Sequence, residues 1–352
     1  MTRPVRAKWV GGLVLAAHAT LAVPTVLAGD GPDRLDRFRT LAATRLSVAQ
    51  LLDPEAPWEA HREVHALLDE EIVENLASSG VFASPEFLQD RLDGFAEVWG
   101  GATLRVLRLG PVTIGAFQLS DAPRGHTVRV YGRFRGEVAL LATLEREGRP
   151  TVHPLSAAAE GTRFVVAWEG GVSGRGTRAL RLDLVRQLGE TVRVVWSTAE
   201  LFPGGLEASA WSLRGREIRI RYELRYPGWT PGCEGQTEAE DVYRLTSPSG
   251  TFERVAARQY NAWHRDLRVW VQRLFAALAT GDRAGLARLV PDGAVRSLLP
   301  STLHPEPACD APDGTEPDTV SVAASGEQRP WQLTFQRVGS GWRLTRAAPL
   351  HP

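Results

Sequence analysis

The sequence predicts an α+β protein: helices in the N-terminal part, a central antiparallel β-rich domain and a small C-terminal α+β domain. Three observations carry this. Apolar residues recur at helical spacing over 33–100, they alternate from about 103 to 258, and a helix followed by paired strands returns after 253. The central strands succeed one another with no helix between them. That pattern excludes parallel βαβ units and leaves a sandwich or a partial, propeller-like meander.

In the helical zone Val64, Leu67, Leu68, Ile72 and Leu76 form an amphipathic stripe, which Ser78-Ser79-Gly80 ends. Ser84-Pro85-Glu86 reads as an N-cap with proline at the first helical position. It opens a helix through Phe87, Leu88, Leu92 and Phe95. The period of two is clearest from Glu217 to Tyr226. Ile218, Ile220, Tyr222, Leu224 and Tyr226 share one face; Glu217, Arg219, Arg221, Glu223 and Arg225 share the other. One dry face and one ion-paired wet face belong to an antiparallel sheet. Further strands are expected at 103–109, 112–119, 127–134, 137–145, 163–168, 178–185, 191–198, 207–213 and 240–246. Glycine turns such as Leu188-Gly189-Glu190 and Arg214-Gly215-Arg216 join them as hairpins.

The last zone opens with Tyr260, Trp263, Leu267, Trp270, Val271, Leu274, Phe275 and Leu278 on one helical face. Gly281 stops that helix, and Asp282 caps a short one through Leu286, Leu289 and Val290. A Pro/Asp-rich loop follows over 300–318, then strands at 331–338 and 341–345. The run Phe275-Ala276-Ala277-Leu278-Ala279-Thr280-Gly281-Asp282, with Leu286, Leu289 and the strand pair around Gly339-Ser340-Gly341-Trp342, resembles the SnoaL-like (nuclear transport factor 2-like) superfamily over about 265–350. The resemblance implies a cone-shaped domain in which helices wrap a curved sheet around a pocket. It implies no single activity, because that superfamily holds enzymes, ligand binders and structural modules. The expected division is 1–28, a signal peptide; 29–100, helical; 101–258, β-rich; and 259–352, α+β.

Arg3, Arg6 and Lys8 precede an apolar run from Trp9 to Val23, which Pro24 breaks before Val26-Leu27-Ala28. This is the pattern of a cleaved export signal, and it predicts a periplasmic or extracellular protein. The alternative is an uncleaved N-terminal anchor, since Trp9 to Ala28 is long enough to span a bilayer. The whole chain has 41 basic and 41 acidic residues. Residues 1–28 hold three basic and no acidic side chains, so cleavage leaves 38 against 41, a net charge of −3. A nucleic-acid partner is excluded on that balance. Of the basic residues 40 are arginine, and the single lysine is Lys8. An exported chain would have no side-chain amine for Schiff-base or lysine-base chemistry.

Cys233 and Cys309, the only two cysteines, sit in Pro/Gly-rich loops and are expected to pair in an oxidising compartment. His61 and His65 stand at i, i+4, a spacing that can chelate zinc, with Asp69 or Glu70 as a third ligand. The plain alternative is two solvated histidines on a polar helix face. Glu234, Glu238, Glu240 and Asp241 crowd one loop, which suits calcium or simply a solvated acidic hairpin. Tyr260, Asn261, Trp263 and His264 stand where the sheet meets the last domain. They suit a small-ligand pocket or acid/base chemistry; interdomain packing is the other reading. The sequence carries no Gly-x-Ser-x-Gly elbow, Walker loop or dinucleotide glycine fingerprint, so no cofactor is expected.

Together these readings favour a non-catalytic binding or scaffolding protein of the cell envelope. Its partner would be a small ligand or another envelope protein, and it would meet the membrane only through an uncleaved signal segment. The alternative is a secreted hydrolase or isomerase-like enzyme with its site in the C-terminal domain. Buried Asp, His or Arg converging inside that domain would favour the enzyme; an apolar interior would favour binding.

Overall fold

The computed structural model describes residues 34–48, 56–120, 125–155, 161–246, 250–307, 309, 316–327 and 329–350. For 44–48 and 56–60 the description is of the backbone alone. The expected signal segment lies outside these residues, as does part of the Pro/Asp-rich loop.

Three helices come first: α1 (Arg34–Val48), α2 (Ala56–Ser78) and α3 (Pro85–Trp99). Ser84 caps α3 as its sequence predicts, its Oγ accepting from the Phe87 N–H at 3.2 Å. The apolar stripes of α2 and α3 are buried with Phe38 of α1. Leu104, Phe117, Leu119 and Tyr131 of the following strands complete the same core.

The chain then runs through three consecutive four-stranded antiparallel meanders. The first is β1 (Thr103–Leu109), β2 (Val112–Gln118), β3 (His126–Phe134) and β4 (Glu137–Glu145). The second is β5 (Arg149–Pro154), β6 (Thr162–Val172), β7 (Arg178–Leu188) and β8 (Thr191–Ser197). A single turn, α4 (Thr198–Leu201), leads to the third: β9 (Glu207–Arg214), β10 (Glu217–Glu223), β11 (Glu238–Leu245) and β12 (Phe252–Tyr260). The second and third meanders join as one sheet of eight strands where Arg178 and Ala179 of β7 pair with Ala208 and Glu207 of β9.

These meanders stack face to face. Val112, Ile114 and Ala116 of β2, with Val128 and Val130 of β3, meet Phe164, Val166 and Trp168 of β6. The other face of β6, Val165 and Ala167, packs with Leu182 and Leu184 of β7 and with Ile218, Ile220 and Tyr222 of β10. The eight-stranded sheet therefore bends over its own core. The fold is α+β with a β-rich centre, built as a helical layer followed by three sheet layers.

Some strands depart from the sequence pattern. β5 carries Pro150 and Pro154, which an edge strand tolerates because its outer N–H groups need no partner. β12 is the opposite edge, exposed from Glu253 to Gln259, so it has no dry face to show in sequence. The strand expected over 217–226 stops at Glu223. Tyr226 leaves the sheet and serves in a loop.

The C-terminal part contains α5 (Ala262–Thr280), α6 (Arg283–Leu289) and α7 (Gly293–Leu298). They cover a sheet of β13 (His304–Pro305), β14 (Thr319–Ser325), β15 (Pro330–Val338) and β16 (Gly341–Pro349), paired in that order. Gly281 ends α5 in the left-handed conformation at φ 68°, where a side chain would be strained. Asp282 starts α6 by accepting from the Gly285 N–H at 2.9 Å. Leu267, Val271, Leu274, Val322, Leu333 and Leu344 centre a core that shares no residue with those of the meanders.

A disulfide between Cys233 and Cys309, Cα–Cα 5.1 Å, bridges the β10–β11 loop to this C-terminal part. The bridge closes a separation of 76 residues. In the chain-entropy picture it stabilises the folded state by about 4 kcal/mol. Calorimetry of the Cys233→Ser/Cys309→Ser protein should show a transition several degrees lower than that of the oxidised protein. An unmoved transition would show that the bridge adds nothing.

Candidate functional site

Among the described residues a cavity stands at the open end of the stack, beside the ends of β6 and β7. It is a cleft of about 1040 Å³. Arg146 and Arg149 line it from the β4–β5 turn, Arg178 and Arg181 from β7, and Phe202 and Pro203 from the segment after α4. Gly148 lets the turn lie against β6. A Cβ there would stand 3.0 Å from the backbone of Trp168 and Glu169, and its φ is +97°.

Beneath the cleft lies Asp183, fully buried on β7. Its carboxylate accepts from Ser197 Oγ at 2.6 Å, from Trp168 Nε1 at 3.2 Å and from Arg181 Nε at 3.0 Å. Arg146 Nε stands 3.7 Å away on the other carboxylate oxygen. A buried carboxylate is costly unless it is paired and hydrogen-bonded, and here β6, β7 and β8 each supply a donor. Ser197 also caps α4, accepting from the Ala199 N–H at 3.2 Å, and Thr198 Oγ1 accepts from the Leu182 N–H at 2.9 Å. The far wall is tied similarly: Glu169 accepts from Trp211 Nε1 at 2.6 Å and pairs with Arg178 at 3.4 Å. The arginine side chains are thus positioned by acids behind them, each about a third exposed on the cleft side.

The sequence-predicted residues fall elsewhere. His61 and His65 are buried between α2 and β3, not solvated. They continue into a polar layer in which Asp69 accepts from Arg129 Nε at 2.6 Å and from the Tyr131 hydroxyl at 2.7 Å. Burial first, then the Arg129 charge and His61, push the His65 pKa down to about 3. The neighbouring guanidinium works against a cation. Among the described residues no group of three His, Cys, Asp or Glu side chains converges as a metal site.

The residues around Asn261 do not form one pocket. His264 is buried in the joint, where the Tyr226 hydroxyl lies 2.6 Å from its Nδ1. Tyr226 Oη in turn accepts from the Thr237 N–H at 3.2 Å, and Thr237 Oγ1 donates to the Asn261 carbonyl at 2.7 Å. Burial, then Arg268, lowers the His264 pKa to about 4. Trp263 belongs to the C-terminal core. Tyr260 lies on β12 between the guanidinium groups of Arg221 and Arg258, at 4.1 and 4.6 Å from its ring. Asn261 alone opens into a smaller pocket of about 320 Å³, beside Glu223, Glu234 and Glu238.

The loop carboxylates also diverge. Glu238 pairs with Arg221, and Glu240 accepts from the Tyr260 hydroxyl. Asp241 is buried, accepting from the hydroxyls of Tyr222 and Tyr243. Burial and then Asp241 push the Tyr222 hydroxyl up to about 12. Period-two geometry puts Glu238 and Glu240 on one face of β11 and turns Asp241 to the other, buried face.

His65 and His264 both titrate lower in the fold than the ordinary 6.5. Between pH 6.5 and their folded values the unfolded chain binds more protons, so stability falls as pH falls. Urea midpoints should therefore drop between pH 7 and pH 4.5. The drop should shrink in His264→Gln, and an equal drop in both proteins would refute this role for His264.

No protein-family model matches the chain, and no curated protein matches it. Among solved structures, it is similar to the Nup133 β-propeller domain of Vanderwaltozyma polyspora, at 9% identity and a TM-score of 0.21 over 71% of this chain and 63% of that one. It is also similar to a Bacteroides fragilis protein assigned as a 6-phosphogluconolactonase, at 8% identity and a TM-score of 0.19 over 70% of each chain. At these scores neither likeness bears on what the chain does.

Proposed function

We propose that this is an exported, non-catalytic binding protein of the cell envelope that holds a small ligand in the arginine-lined cleft. The observation that carries the reading is the cleft itself: open, roomy, and walled by arginines held from behind by Asp183 and Glu169. Side chains locked before a ligand arrives lose little freedom on binding it. Export is supported by the signal-like N-terminus, and the Cys233–Cys309 bridge is compatible with it. Among the described residues no helix is long and apolar enough to cross a membrane.

The C-terminal part belongs to this reading as a structural module, and kinship with the SnoaL-like superfamily is part of the proposal. Its interior is filled by Leu267, Val271, Leu274, Phe335 and Trp342, among others. That apolar filling supports a packed support over the hydrolase or isomerase alternative.

Gly171 lines the cleft, and a side chain added there would meet nothing within 4 Å. Gly171→Trp should therefore fold normally and fill the opening. In saturation-transfer NMR against a library of small neutral and charged fragments, the unaltered protein should give hits that the variant loses. Hits that persist unchanged in the variant, or their absence in both proteins, would overturn the reading.

A further inference from the structure

Resting on that reading, we propose that the ligand's anchoring group is a single carboxylate, gripped by Arg146 and Arg181. The argument is one of charge and geometry. Both guanidinium groups turn Nε toward the one buried acid, Asp183. Two cations on one anion leave a net charge of +1 at the cleft floor. Arg146 also donates from Nη1 to the Glu145 carbonyl at 2.6 Å, which sets the plane of its guanidinium. Arg181 Nε donates to Asp183 and Arg146 Nε stands at ion-pair distance from it, while both side chains line the cleft and stay about a third exposed. The planar guanidinium fork matches the two oxygens of a carboxylate.

The surroundings limit the rest of the ligand. Arg178 is already matched by Glu169, and Glu147 and Glu207 stand on the rim. A second negative charge on the ligand would meet these two acids with one cation, Arg149, beside them. An uncharged stretch of the wall is made by Phe202, Pro203, Ala179 and the Gly170–Gly171 backbone. The site therefore selects a monocarboxylate with an uncharged body, and it disfavours a phosphate dianion or a polyanion.

Calorimetric titration of the full chain with octanoate, phenylacetate and benzoate, against their amides and inorganic phosphate, tests this. At least one acid should bind, its amide should bind at least about tenfold more weakly, and phosphate should not compete. Arg146→Gln should weaken the acid by a similar factor, although it removes one of the two cations beside Asp183. Arg181→Gln should do the same, although it also strips a partner from Asp183; the acid–amide comparison needs no variant. An amide that binds as well as its acid, phosphate that binds more tightly than every acid, or no acid binding at all would overturn the carboxylate assignment. The cleft reading would survive any of these if fragment hits were still lost in Gly171→Trp. Acids that bind equally well to Gly171→Trp would overturn both.

Discussion

Strand β6 is apolar on both faces, and the rest of the central architecture depends on hiding both at once. Phe164, Val166 and Trp168 point one way, Val165 and Ala167 the other. A single layer on either side would leave one face in water, so β6 must be the middle of a stack. The first meander covers one face and the folded-over half of the eight-stranded sheet covers the other. The first meander in turn has its outer face covered by α1–α3, which is why β2 is buried along its whole length. The stack ends where the apolar run ends. Glu169-Gly170-Gly171 continues the strand beyond its cover, and there the cleft opens.

The same constraint explains Asp183. On β7 the residues Leu180, Leu182 and Leu184 make the dry face toward the third meander. The alternate positions, Arg181 and Asp183, would be the wet face of an ordinary two-sided sheet. Here that face lies under the first meander, so Asp183 is enclosed. Replacing a buried acid together with its cationic partners by apolar residues is often neutral or stabilising, although removing one member alone is costly. Its stability contribution is therefore a weak account of why it is there. What it supplies is position: it holds Arg181, Arg146, Trp168 and the start of α4 around one point.

Much of the fold was legible because periodicity reports burial. The helix stripe at Val64, Leu67, Leu68 and Ile72, the Ser84 cap, the Gly281–Asp282 break and most central strands follow directly from residue spacing. Of the strands that escaped, β12 lacked a dry face and β5 carried proline, whereas β14 alternates Val320, Val322 and Ala324 on a dry face and was readable in the sequence. The cleft was less legible. Its residues come from a turn, two strands and a post-helix segment, brought together only by the stacking. One signal was present: Phe164-Val165-Val166-Ala167-Trp168 is a continuous apolar run between alternating strands. Such a run implies burial on both faces, and hence that the charged positions on the paired strand β7 are enclosed too. The residues singled out around Asn261 misled because a polar, aromatic cluster at a domain boundary suits a joint as well as a site.

That joint bears on where a ligand could act. The C-terminal core is closed on its own residues, and it meets the meanders through the loop after β10. Among the described residues the polar contacts there include Tyr226 to His264, Thr237 to Asn261, and the Thr237 hydroxyl accepting from the Arg265 N–H at 3.1 Å. The disulfide adds a second covalent tie to that of the chain itself. None of the C-terminal core residues takes part in the stack. The cleft, in contrast, is formed by the stack itself. Arg146 and Arg181 stand against Asp183, which Trp168 and Ser197 hold within the stack. The stacked layers therefore present the cleft, and the C-terminal part packs on a core of its own.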